Sequence, residues 1–248
     1  MSPDPAQHLE HSHAADDIAD RLNQGPQASY LRDWVLGGID GAVTTLAVVA
    51  GVAGADLSTK VVLILGAANL LADGFSMAAA NYSGVKAERD DYERLRQMEL
   101  RHIALAPEGE REEVRQIFAS KGFEGADLER AVEVITSSRE RWVRLMLEEE
   151  HGAPRVVRSG LAAGAVTFAA FLVCGMAPLI PYIAGLGEHA FASACVMTCV
   201  IFFGIGSLKS KWSTASWWRS GLETLAIGAI AASVAYIAGA ILKGVTGA

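Results

Sequence analysis

Asn69, Asp73 and Met77 stand four residues apart in an otherwise apolar run, "ANLLADGFSMAAANYSG" (68–84). On a helix that spacing stacks them on one face. An amide, a carboxylate and a thioether together suit a borderline divalent ion such as Fe²⁺ better than Mg²⁺ or Ca²⁺, which take oxygen ligands alone. A second carboxylate, Asp40, lies in the preceding apolar run. A carboxylate near the middle of a bilayer costs ~2.5–3.5 kcal/mol, so it normally faces a cavity, a partner or an ion path. With no basic residue nearby in sequence, Asp40 and Asp73 either share a proton or share a cation. The plainer alternative is that each is a protonated acid hydrogen-bonded to Thr44, Ser76 or the backbone.

A polar stretch further along carries a second set. Glu99 and His102 form Glu-x-x-His, which puts both on one helix face, and glutamates from other helices can complete a carboxylate-bridged metal site around such a pair. Glu110 with Glu113, and Met146 with Glu150, are spaced to join it. Each pair alone is weak, since acidic helix faces are usually just solvated. Other groups say less. Cys195 and Cys199 are four apart but read as small core hydrophobes. Glu223 can snorkel or pair with Arg219 or Lys209. His8, His11 and His13 sit in a polar tail and could bind metal, although a histidine-bearing tail is the simpler reading. No nucleophile triad, phosphate loop or redox motif is visible, so no catalytic residues are assigned.

The elements that must position these groups are marked by where charge is missing. Of 21 basic and 28 acidic side chains, most fall between Val85 and Arg158. On either side lie five apolar segments, at 33–55, 60–82, 156–180, 189–208 and 220–242, each about the ~20 residues a helix needs to cross a bilayer. They are rich in Gly and Ala, with Gly160 and Gly164 at the small-xxx-small spacing of closely packed membrane helices. Arg32, Lys86, Arg155, Arg158, Lys209, Lys211 and Arg219 all fall on one side if the N-terminus is cytosolic, leaving only Lys60 and Lys243 outside. The N-terminal residues lack the basic and apolar regions of a signal peptide.

The sequence therefore predicts an all-α membrane protein with five transmembrane helices and a cytosolic helical metal-binding insert between helices 2 and 3. Its divisions are a mobile tail (1–30), transmembrane helices 1 and 2 (31–84), the insert (85–154) and transmembrane helices 3 to 5 (155–248). The second membrane helix is expected to continue into the insert, where Val114, Ile117, Phe118, Leu128, Val132, Ile135, Trp142 and Leu145 supply an apolar core. The bilayer and metal ions are the expected partners. The net charge of −7 argues against nucleic acid.

Taken in order, "GGIDGAVTTLAVVAGVAGA", "LILGAANLLADGFSMAAANYSGVKAERDDYE", a W-x-x-x-M-L-x-x-E element and "PLIPY" resemble the vacuolar iron transporter family, in its prokaryotic form, over nearly all of the chain after residue 30. The resemblance implies a homodimer that exports Fe²⁺ from the cytosol in exchange for protons, with Mn²⁺ and other divalent transition ions as further cargo. It implies a bacterial inner membrane, and the distribution of basic residues sets the N-terminus inside and the C-terminus outside. The resemblance places Asp40 and Met77 on a path between the subunits, and makes Glu99, His102, Glu110, Glu113, Met146 and Glu150 the ligands of the insert. Departures from the plant pattern are Asn69 in place of a glutamate, with Asp73 one turn on expected to take its titrating role. His102 also replaces a glutamate, and Leu147 a second methionine. Two rival readings are a membrane-anchored di-iron ferroxidase built on Glu99 and His102, and a metal-binding store or sensor through which nothing crosses.

Overall fold

A computed structural model describes residues 12–212 and 214–246. Every regular element among them is helical: α1 (Ala15–Gln24), α2 (Leu31–Gly54), α3 (Thr59–Leu105), α4 (Pro107–Ser120), α5 (Gly125–Thr136), α6 (Arg139–Glu149), α7 (Gly160–Met176), α8 (Ile180–Ile183), α9 (Ala190–Lys209) and α10 (Trp217–Thr246), with short 3₁₀ turns between the later ones. They sort into two compact units. One is Tyr30–Glu88 with the chain from Arg158 onward; the other is Arg89–Val157 with the residues up to Ser29.

The first unit holds five helices long and apolar enough to cross a membrane: α2, α3, the stretch Gly160–Ile183, the stretch Gly187–Lys209, and α10. The third apolar segment of the sequence is not one regular helix. Pro178 and Pro181 lack a backbone N–H, and the chain passes through a 3₁₀ turn at Ala177–Leu179 before α8. In α2 apolar and small residues surround the whole helix, as expected of a helix enclosed by others, and it packs against α7, α9 and α10. Phe171, Leu70, Val49 and Leu179 form one core cluster, and Phe202, Ala42, Leu46 and Ile205 a second.

The glycines of this unit mark places where backbones touch. A Cβ added at Gly37 or Gly41 would run into the backbone of Thr167 or Phe171 on α7; one at Gly239 on α10 would meet Gly51 of α2. At Gly160 and Gly164, the added atom would lie 2.9 Å from the carbonyl oxygens of Tyr82 and Ala78 on α3. At Gly175 it would be 2.5 Å from a methyl of Leu70 and 2.7 Å from the carbonyl oxygen of Gly41. Van der Waals contact between backbones replaces the hydrophobic effect as the driving force for association in lipid. Gly175→Ala is therefore expected to lower thermal stability in detergent by about 1–3 kcal/mol through overpacking. Gly204→Ala is the control. Nothing lies within 4 Å of that site, so the gain in helix propensity should leave stability unchanged or raised by up to about 1 kcal/mol.

In the second unit, α4, α5 and α6 pack with the polar end of α3. Val114, Val132, Trp142 and Met146 are buried, and Ile103, Ile117, Phe118, Leu128, Ile135 and Leu145 close around them. Local signals place the ends. Pro107 opens α4 where its missing N–H costs nothing. Gly122, at φ 91°, ends the turn after α4. Ser138 caps α6.

Candidate metal centre and membrane carboxylates

Glu99 and His102 project from one face of α3, Glu110 from the first turn of α4, and Glu150 and His151 from the end of α6. These five side chains converge. The His151 Nε2 lies 2.9 Å from Glu99 Oε1 and 3.6 Å from Glu150 Oε2, and His102 Nδ1 lies 3.4 Å from Glu110 Oε1. Two trios result, Glu99–His102–Glu110 and Glu99–Glu150–His151, each with its ligand atoms within 4.8 Å of one another. Glu99 belongs to both and is only 1% exposed.

Two oxygens expose the chemistry. Oε2 of Glu99 and Oε2 of Glu110 are buried and have no hydrogen-bond partner among the described residues. Buried polar atoms are nearly always paired, and an orphaned carboxylate oxygen is costly. A divalent cation would satisfy both, and a set of carboxylates with imidazole suits Fe²⁺, Mn²⁺ or Zn²⁺. Glu113 belongs to neither trio. It stands exposed on α4, near enough for its charge to act on Glu110 and Glu150. Met146 is fully buried among Val114, Val132 and Trp142.

Burial pushes the Glu110 carboxyl up to about 7; the charges of Glu113 and Glu99 add to the effect, and His102 opposes it. Glu150 is raised as well, first by burial and then by Glu99 and Glu113, against the pull of His151 and His102. The folded chain thus holds the Glu110 proton more tightly than an unfolded one. Without bound metal, stability should fall as pH rises from about 4.5 to about 7. Above that window the full cost, on the order of 3 kcal/mol, is present. With a chelator present, the thermal midpoint is expected to be lower at pH 8 than at pH 5.5. Glu110→Gln should remove most of that difference, and an unchanged difference in the variant would refute the assignment.

In the membrane unit, Asp40 is half-buried on α2 and Asn69 half-buried on α3. Thr44 joins them: its hydroxyl donates to the Asp40 carbonyl oxygen (2.9 Å) and accepts from the Asn69 amide (3.3 Å). Thr44 thus bonds the Asp40 backbone and leaves the carboxylate alone. No hydrogen bond or ion pair reaches the carboxylate of Asp40 or of Asp73 among the described residues, although the two lie within electrostatic reach of each other. Asp73 is exposed; the bare apolar side chains Ile64, Leu71 and Phe75, at 62–69%, cluster on the opposite side of α3. Met77 is partly buried against the cluster containing Leu70 and Phe171. Along the 69–73–77 stripe the exposed Asp73 thus stands between the half-buried Asn69 and Met77.

Sequence reasoning missed two features. His151 follows a run of three glutamates just past a helix end, and its contacts are with Glu99 and Glu150 rather than with Glu148, three residues before it. Asp33, 2% exposed, accepts from Asn81 (2.9 Å) and pairs with Arg158 (2.8 Å), while Asn81 also donates to Thr167 (2.7 Å). Among the remaining sites, Glu223 lies 3.8 Å from Lys209. Cys195 packs against the Phe202 cluster and Cys199 is exposed, both as free thiols. His13 is exposed on the surface; His8 and His11 lie outside the described residues.

The VIT family model matches residues 31–240. A vacuolar iron transporter of Toxoplasma gondii is 36% identical over 236 residues, covering 89% of this chain and 77% of the relative. Vacuolar iron transporter 1 of Arabidopsis thaliana is 32% identical over 210 residues, 83% of each chain. That of Eucalyptus grandis is 30% identical over 208 residues, covering 83% and 84%. With a match that takes in all five apolar helices and the helical unit between the second and third, the chain belongs to the VIT family.

Proposed function

We propose that this protein exports a divalent metal ion, Fe²⁺ first and Mn²⁺ among further cargo, from the cytosol across the membrane in exchange for protons. The observation that carries the reading is a pair of carboxylates, Asp40 and Asp73, set in apolar helices with no cation or hydrogen-bond donor on either among the described residues. Leaving two such groups uncompensated in lipid is expensive unless an ion and a proton neutralise them in turn. The names of the relatives, vacuolar iron transporters, point to the same cargo.

In this reading the two trios around Glu99, Glu150 among them, collect the ion on the cytosolic side, with Glu113 lending charge. The ion then passes to Asp40, Asn69, Asp73 and Met77. Protonation from the far side displaces it, because a neutral acid binds a cation poorly. The working form is a homodimer. A monomer would leave the exposed Asp73 carboxylate facing acyl chains, and a second copy packed over it covers the charge.

The test is Fe²⁺ uptake by proteoliposomes carrying a proton-sensitive dye. Metal should move one way and protons the other. Metal movement without a pH change would remove the exchange, and no movement would remove transport. A di-iron ferroxidase is the second reading, favoured by the two Glu/His trios that share Glu99. It requires oxygen consumption when Fe²⁺ is added, which a transporter does not show.

A further inference from the structure

We propose that His151 is a metal ligand. With Glu99 and Glu150 it forms a second ion position beside that of Glu99, His102 and Glu110, so that two ions share the Glu99 carboxylate and each carries one imidazole. The inference rests on the capture role given above to this unit and extends it to a ligand and an ion that the spacing of the sequence does not reveal.

The backbone fixes the ring. As α6 ends, the His151 N–H bonds the Met146 carbonyl (3.3 Å), the Ala153 N–H bonds that of Leu147 (2.7 Å), and Gly152 takes the left-handed conformation at φ 63°. This hydrogen-bonded helix end is a common way to stop a helix and set the direction of the chain beyond it. It turns the imidazole back to α3, where Nε2 meets Glu99 across 52 residues of sequence. The ring is largely buried, at 16% exposure.

A bare ion pair does not account for this arrangement. A protonated His151 would satisfy Glu99 Oε1 and leave Oε2 still without a partner, in a side chain that is 1% exposed. A carboxylate with both oxygens buried and a histidine on each flank is placed to bridge two cations, one through each trio. With its proton on Nδ1, His151 has its Nε2 lone pair open to metal, while His102 faces Glu110 through Nδ1 and offers that nitrogen when its proton sits on Nε2. Imidazole nitrogen favours the later first-row ions and disfavours Ca²⁺ and Mg²⁺, which take oxygen. His151 would thus act in specificity: it turns a carboxylate cage that accepts hard cations into one selective for transition metals.

The test uses the full chain in detergent, titrated with Co²⁺ under chelator-washed conditions, with X-ray absorption at the cobalt edge. The wild type should take two ions, with imidazole scattering from both. His151→Leu should weaken one of the two by at least roughly tenfold to a hundredfold and lower the imidazole signal without abolishing it. His151→Glu should restore the second ion with oxygen in place of nitrogen and raise competition by Ca²⁺. If His151 only pairs with Glu99, His151→Leu will lower stability without metal but leave ion number and imidazole content unchanged, and the proposal is overturned. Should the leucine variant fail to fold, the same readings on His151→Glu decide: full imidazole scattering there excludes His151 as a ligand. Metal and proton flux by the wild type is measured separately. Loss of the transport reading shows there, and loss of the His151 assignment shows only in the cobalt data.

Discussion

Asp40→Ala is expected to abolish metal-dependent proton flux in proteoliposomes while leaving the folded protein no less stable. The two halves of that expectation have one cause. Asp40 sits in an apolar helix and takes no hydrogen bond or ion pair on its carboxylate among the described residues, so its charge contributes nothing to the fold. Removing it relieves a cost of ~2.5–3.5 kcal/mol in the charged form. The travelling ion, however, loses its one anionic partner on α2 at that level. A loss of ~3 kcal/mol in ion stabilisation corresponds to roughly 100-fold in occupancy. Asp40→Asn keeps the shape and hydrogen-bonding capacity but removes the charge, and should be equally inactive. Flux at the wild-type rate in the asparagine variant would end the assignment of Asp40 to the ion path.

Asp33→Ala should have the opposite profile, with stability lost first. Asp33 is buried, and its two oxygens hold Asn81 of α3 and Arg158 just before α7. Removing one partner of a buried charged pair typically costs ~3–5 kcal/mol, because the other charge keeps its desolvation penalty without the compensating contact. Replacing Asp33 and Arg158 together by leucine should restore much of that loss, since a buried pair often contributes little over apolar side chains of similar volume. The measurement is a double-mutant cycle on thermal stability in detergent. A single Asp33→Ala variant as stable as the wild type would show that the network does not hold α2, α3 and α7 together.

Much of the fold was written in local pattern, and much of the site was not. Apolar runs of the right length mark the five membrane helices, and the helical period of the polar stretch identifies Val114, Val132 and Trp142 as core. These signals span tens of residues and need no knowledge of what packs where. The break after Met176 could have been anticipated from Pro178 and Pro181, yet hydropathy averages over it. Glu99 with His102 was visible because ligands at i, i+3 share a face. His151 was invisible to the same rule: its partner is 52 residues away, and its aim is set by a helix-ending turn. Asp33 and Arg158 are 125 residues apart, and a basic residue beside an apolar segment reads from sequence as a topology signal, not as half of a buried pair. The exposure of Asp73 is a tertiary fact too, since spacing groups it with Asn69 and Met77 but cannot tell which of the three is left bare.

The glycine contacts also restrict how the membrane unit can deform. Where α2 meets α7 and α10 through bare backbone, no side chain can change rotamer to fill a gap, so those contacts leave little room for sliding. Helix α3 is fastened differently. It meets α7 backbone-close at Ala78 and Tyr82, but around Gly66 and Gly74 it rests on the side chains of Leu179, Phe168 and Phe171. A seat made of side chains is softer than one made of backbones, so the stretch of α3 that carries Asn69 and Asp73 is held less rigidly than the stretch at Ala78 and Tyr82.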